Sequence, residues 1–116
     1  TEQRIRALLD ADRASKVALL GLAFKPDIDD FRESPALAIA ENLARDWGHR
    51  LVVVEPFAAE LPPALHTQGV QLDELDHALD NAQIVIVLVD HSQFRHLGKN
   101  ELAGKVVFDT RGMLKR

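Results

Sequence analysis

The stretch from Phe24 to Ser34 reads Phe-Lys-Pro-Asp-Ile-Asp-Asp-Phe-Arg-Glu-Ser, a density of charge uncommon between two apolar segments. Lys25 beside Phe24 pairs a point charge with a flat apolar wall, which suits an anionic ligand that also carries a ring or a sugar. Spacing alone leaves a second reading open, a surface lysine next to a core phenylalanine. Arg32 can complement a phosphate or pair with Asp29 or Asp30, where an exposed ion pair contributes little. Arg111, in Phe108-Asp109-Thr110-Arg111-Gly112, offers a planar guanidinium just past an apolar run and so suits a planar or anionic group. Composition leaves open a plain surface arginine at that position.

Other constellations lead to no catalytic residue. Asp27, Asp29 and Asp30 lack the ligand spacing of an EF-hand and read as a solvated loop near a helix N-terminus and Arg32. Asp90-His91-Ser92 has no nucleophile elbow, and neighbours in sequence rarely hold triad geometry, so Asp90 or Ser92 reads as the cap of a following helix. His91 and His96 are five apart, outside the usual helical ligand spacings of about three or four, and no metal site is expected. His49, His66 and His77 read as exposed. The chain has no cysteine, which removes disulfides, thiolate metal sites and a thiol nucleophile from this segment.

These residues need a frame. Apolar runs too short for helices mark buried strands at Lys16 to Leu22, Leu51 to Val54, Val70 to Leu72, Ile84 to Val89 and Lys105 to Phe108. Between them, Ser34 and Pro35 open a helix that carries Ala36, Ile39, Ala40, Leu43 and Trp47 on one side, with Gly48 as its stop. A loop with Pro62 and Pro63 follows the second strand. Asp73 caps a shorter helix bearing Leu75, Ala78, Leu79 and Ala82, and a helical piece lies around Gln93 to Leu97. Thr1 to Ala14, with Ile5, Leu8 and Leu9 at helical spacing, reads as an amphipathic helix ending a connector from upstream domains. The division is thus a connector over 1–15 and a binding domain over 16–116.

Strands alternating with helices imply an α/β, Rossmann-like three-layer sandwich around a mostly parallel five-stranded sheet. With the strand order 3-2-1-4-5 the chain reverses between strands one and four, and ligands bind beyond the carboxyl ends there. Phe24, Lys25, Asp90, His91 and Arg111 converge on that point. The first turn carries only Gly21 of the G-x-G-x-x-G fingerprint, so the domain is not expected to cradle a dinucleotide on its own.

With 116 residues, the chain has room for one domain and is short for a two-substrate enzyme. At 47% apolar and 28% charged it reads as an ordinary folded globule. A net charge of −4 with scattered Lys and Arg argues against nucleic acid. No apolar run approaches the roughly 18 to 20 residues of a membrane span and no signal peptide is seen, so a cytoplasmic protein is expected.

The run from Gly21 to Ala36, Gly-Leu-Ala-Phe-Lys-Pro-Asp-Ile-Asp-Asp-Phe-Arg-Glu-Ser-Pro-Ala, resembles the opening of the C-terminal UDP-binding domain in the UDP-glucose/GDP-mannose dehydrogenase family. Val54-Glu55-Pro56, the Leu72 to Ala82 helix, Val87 to Phe94 and Val107 to Gly112 follow in the family's order, so the resemblance covers Val17 to Met113. It implies that Phe24, Lys25 and Arg111 contact a UDP-sugar and that Arg32 reaches NAD. Family members oxidise the sugar C6 alcohol to a carboxylate with two NAD⁺, through a thiohemiacetal on a cysteine of preceding domains. That implies NAD held mainly by an N-terminal domain outside this segment, a homodimeric full-length protein, and a segment inactive alone. The loop and Val-Asp-His-Ser-Gln-Phe are most similar to the UDP-N-acetyl-D-mannosamine branch, which serves surface polysaccharide synthesis. UDP-GlcNAc or UDP-glucose dehydrogenase domains, and a stand-alone non-catalytic nucleotide-binding or interaction module, are the alternatives.

Overall fold

A computed structural model describes residues 2–11, 15–22, 34–55, 60–89, 91, 94, 97 and 102–109. Five strands, β1 (Val17–Leu20), β2 (Leu51–Val54), β3 (Gln71–Leu72), β4 (Ile84–Val87) and β5 (Val106–Asp109), form one sheet in the order β3-β2-β1-β4-β5. Every pairing is parallel. The chain is an α/β, Rossmann-like fold, and β1 is central because all its side chains are apolar and buried on both faces. Leu20 lies opposite Val54 on one side and Val87 on the other, which puts the carboxyl ends of the three strands level.

Alternation along the strands feeds two apolar layers. Val17, Leu19, Leu51, Val53, Ile84 and Ile86 face one way, toward α1 (Glu2–Ala11), α2 (Pro35–Trp47) and α3 (Pro63–His66). Ala18, Leu20, Val54, Val85 and Val87 face the other, toward Phe94 and Leu75, Ala78 and Leu79 of α4 (Leu75–Asn81). β5 closes the opposite edge from β3 and leaves Val106 and Val107 exposed.

α1 is tied to this frame by polar contacts as well as by Ile5 and Leu9, which are fully buried. The Arg6 guanidinium reaches Asp46 (2.6 Å) and the Asn42 carbonyl (2.9 Å) and lies over the Trp47 ring. Arg50, itself buried, donates to the carbonyls of Leu9 (3.1 Å) and Ser15 (2.8 Å), satisfying acceptors at and beyond the helix's last turn.

Several local expectations need correction. Gly48 ends α2 in ordinary right-handed geometry (φ −49°) and runs on into a 3₁₀ turn, Gly48–Arg50. A side chain is excluded there for another reason: a Cβ would stand 2.0 Å from the Gln68 carbonyl oxygen. The proline loop contains α3, since Pro63 sits at its first position, where a missing N–H costs nothing. Glu74, not Asp73, holds the N-cap position of α4. The strand expected to run to Val89 ends at Val87, because the N–H groups of Leu88 and Val89 both turn onto the Leu20 carbonyl (2.9 and 3.1 Å). β5 starts at Val106 rather than Lys105. Of the piece around Gln93 to Leu97 only Phe94 and Leu97 are described, joined by a Leu97 N–H to Phe94 carbonyl bond (3.1 Å).

Candidate functional site

The chain leaves β1 through Gly21, whose φ of 96° is open to glycine and strained for other residues. Its N–H donates to the Val54 carbonyl (2.9 Å), and a Cβ there would lie 2.6 Å from the Val89 Cβ. Glycine is therefore required twice over, once by the backbone angle and once by the close approach of the turn after β4.

Leu22 follows, buried, with its peptide groups held from two directions. Its N–H donates to Glu55 Oε1 (2.7 Å), and its carbonyl accepts from the Ser34 hydroxyl (2.7 Å). Ser34 also accepts from the Leu37 N–H (3.3 Å) as the N-cap of α2, so one hydroxyl serves both the helix start and the loop end. The ends of the segment 23–33 are thereby joined through a single buried bond.

Glu55 Oε1 has a second partner, His91 Nε2, at 2.9 Å. Both side chains have no solvent exposure, and the imidazole ring packs obliquely against Phe94 with centroids 5.5 Å apart. With Oε1 as acceptor for the Leu22 N–H, the imidazole completes the cluster by donating from Nε2 to the same oxygen. A carboxylate out of water is tolerated only when it is hydrogen-bonded. Here it joins β2, the exit of β1 and the turn after β4. Among the described residues, every buried side-chain polar atom has a hydrogen-bond partner.

Phe24, Lys25, Arg32 and Arg111 lie outside the described residues, as do Asp90 and Ser92. The described neighbours place the bases of their loops: Leu22 and Ser34 bracket the segment with Phe24, Lys25 and Arg32, and Asp109 at the end of β5 comes two residues before Arg111. His91, expected among the converging side chains, is at the switch point but fully buried. It faces the protein's own carboxylate. Glu55, carried in the sequence reading only within Val54-Glu55-Pro56, was missed as a member of the site. Its signal was position, since it stands directly after the second strand, at the carboxyl edge of the sheet where ligands bind.

A second polar region lies along β3. A groove of about 700 Å³ is lined by Glu60, Leu61, His66, Gln71, Asp73 and His77. Asp73 accepts from the Glu74 N–H (2.8 Å) and pairs with His77 one turn into α4. Burial pushes the Asp73 carboxyl up, but the His77 hydrogen bond, the Glu74 N–H and the His77 charge outweigh it and leave it below its ordinary value. The hydrogen bond that His77 donates to Asp73, then the Asp73 charge, raises His77 above its own. Among the described residues no group of three or more His, Asp or Glu could hold a metal ion, and no helix is long and apolar enough to cross a membrane.

Residues 18–116 match the sequence profile of the UDP-glucose/GDP-mannose dehydrogenase family, UDP binding domain. The chain is 48% identical over 97 residues to an NDP-N-acetyl-D-galactosaminuronic acid dehydrogenase of Ralstonia nicotianae, covering 84% of this chain and 22% of that protein. It is 45% identical over 98 residues to the UDP-N-acetyl-D-mannosamine dehydrogenase of Escherichia coli K12, covering 84% and 23%. A structure of the UDP-N-acetyl-mannosamine dehydrogenase of Staphylococcus aureus superposes with a TM-score of 0.76 at 31% identity, covering 99% of this chain and 26% of that one. The chain thus spans about a quarter or less of the length of these relatives.

Proposed function

From its membership in the UDP-glucose/GDP-mannose dehydrogenase family, whose UDP-binding domain it is, we propose that this chain is the UDP-sugar-binding part of an NAD-dependent nucleotide-sugar 6-dehydrogenase. The preferred substrate is UDP-N-acetyl-D-mannosamine, oxidised at C6 to the uronate. The observation that carries the reading is the tied base of the first loop: Gly21 and Leu22 are fixed at the switch point, and that loop bears the residues with ligand chemistry.

In this reading Phe24 walls the ring or sugar, Lys25 supplies charge against the diphosphate, and Arg111 approaches the substrate. Arg32 reaches the NAD. The described residues do not fit a dinucleotide cradle of their own, because Glu55 turns inward onto Leu22 and His91 and the first turn has one glycine. The cofactor is accordingly assigned mainly to sequence beyond this segment, with residues 1–15 as the connector and 16–116 as the binding domain. Alone, the segment carries no dehydrogenase activity, having no thiol to hold the sugar aldehyde. The whole protein is read as a cytoplasmic homodimer.

A second reading has its own support. An NDP-N-acetyl-D-galactosaminuronic acid dehydrogenase at 48% identity makes an N-acetylgalactosamine-type sugar the rival to N-acetylmannosamine. Turnover of each sugar nucleotide by the full-length protein separates the two. Titration of the chain with millimolar UDP tests the common part: saturable NMR shifts are expected at Phe24, Lys25 and Arg111. Their absence, with shifts elsewhere or none, removes the assignment.

A further inference from the structure

We propose that Glu55 and His91 are a positioning pair for the UDP-sugar seat, acting on the ligand-binding loop through the main chain of Leu22; this rests on the reading of that seat given above. The ladder that joins β1 to β2 and β4 is complete at Leu20, opposite Val54 and Val87. The carboxylate acts beyond it. Glu55 Oε1 takes the Leu22 N–H at 2.7 Å and His91 Nε2 at 2.9 Å, so the turn after β4 is coupled to the peptide at which the chain leaves the sheet.

Holding strands together would not require this chemistry, since apolar side chains of similar volume do so without burying a carboxylate. What a bidirectional acceptor adds is a fixed direction for one peptide plane. The Ser34 hydroxyl fixes its successor, at the Leu22 carbonyl (2.7 Å). With both ends of the 23–33 segment set this way, Phe24 stands two residues from a held peptide and Arg32 two residues from a held hydroxyl. A carboxylate just past the second strand, on the edge where ligands bind, is used here to orient the loop that carries the ligand chemistry.

The test uses the 116-residue chain with UDP as the probe. Glu55→Leu/His91→Leu removes both partners together, so neither polar side chain is left facing an apolar one, and circular dichroism checks that the variant is folded. Its UDP dissociation constant is expected to rise about tenfold, while Glu55→Gln, which keeps an acceptor oxygen for both donors, stays within about threefold of wild type. In the absence of ligand, the Leu22 amide of the double variant loses hydrogen-exchange protection and amide shifts move across 23–33, with α1 and β5 unchanged. A folded double variant with wild-type UDP affinity overturns the proposal. So does a Glu55→Gln variant as weak as the double one. If wild type binds no UDP, the functional reading fails by itself, and the ligand-free shifts decide: movement confined to 23–33 upholds positioning, and movement absent or spread evenly overturns it.

Discussion

Glu55 meets His91 from 36 positions away with neither side chain exposed, whereas Asp73 meets His77 across one helical turn with the side chains 27% and 69% exposed. The functional groups are the same. The first pair also takes a main-chain N–H from a third element, so removing either member leaves a buried polar group without its partner. The second stands in water that can replace each partner and screen the charge. Carboxylate–imidazole contact thus says little about importance until burial and connectivity are known.

The largest effect should come from breaking the buried pair on one side only. His91→Leu leaves the Glu55 carboxylate out of solvent without its imidazole and is expected to cost about 3 kcal/mol in a denaturant titration. Adding Glu55→Leu should recover part of that loss, because coupled partners are not additive. Ser34→Ala comes next, at about 1–2 kcal/mol, through the α2 cap and the donor to the Leu22 carbonyl together. Lys25→Ala separates seat from occupant: the melting temperature holds while UDP affinity falls about tenfold, and an unchanged dissociation constant would withdraw the lysine from the site.

His77→Ala should do least, leaving the melting temperature within error at neutral pH. The direction with pH follows from the two shifts. His77 is raised, so its contribution is full below its ordinary 6.5 and fades as pH climbs through the higher folded value. Asp73 is lowered, so its contribution is full above 3.8 and fades as pH falls through the lower folded value. Any difference between wild type and His77→Ala is therefore expected between those limits. A difference that grows at alkaline pH would contradict the pairing.

The contrast also explains what sequence could reveal. Ile84 to Val87 and Val17 to Leu20 announce a covered parallel sheet by composition, and the strand order follows from connection rules, so the switch point was legible before any coordinates. Glu55–His91 was not, because no periodicity links residues 36 apart and a carboxylate before proline looks like a strand end. Asp73 was legible as a polar residue at a helix start, yet its carboxylate went to the Glu74 N–H and His77, which moved the cap by one. Gly48 was legible as the stop of α2, but the close approach of Gln68, which excludes a side chain there, was not. Long-range contact decides such cases, and a single sequence does not carry it.

Arg50 draws a different line through the chain from the one drawn by the family profile. The family match begins at residue 18, yet the guanidinium of Arg50 is buried against the carbonyls of Leu9 and Ser15, and Ile5 and Leu9 fill the same core. Trimming at the profile boundary would take two carbonyl acceptors from a buried guanidinium and strip Ile5 and Leu9, worth about 1.5–3 kcal/mol each. The stretch that the family profile matches and the stretch that shares one core differ by a helix, and any shortened version meant to remain folded should keep it.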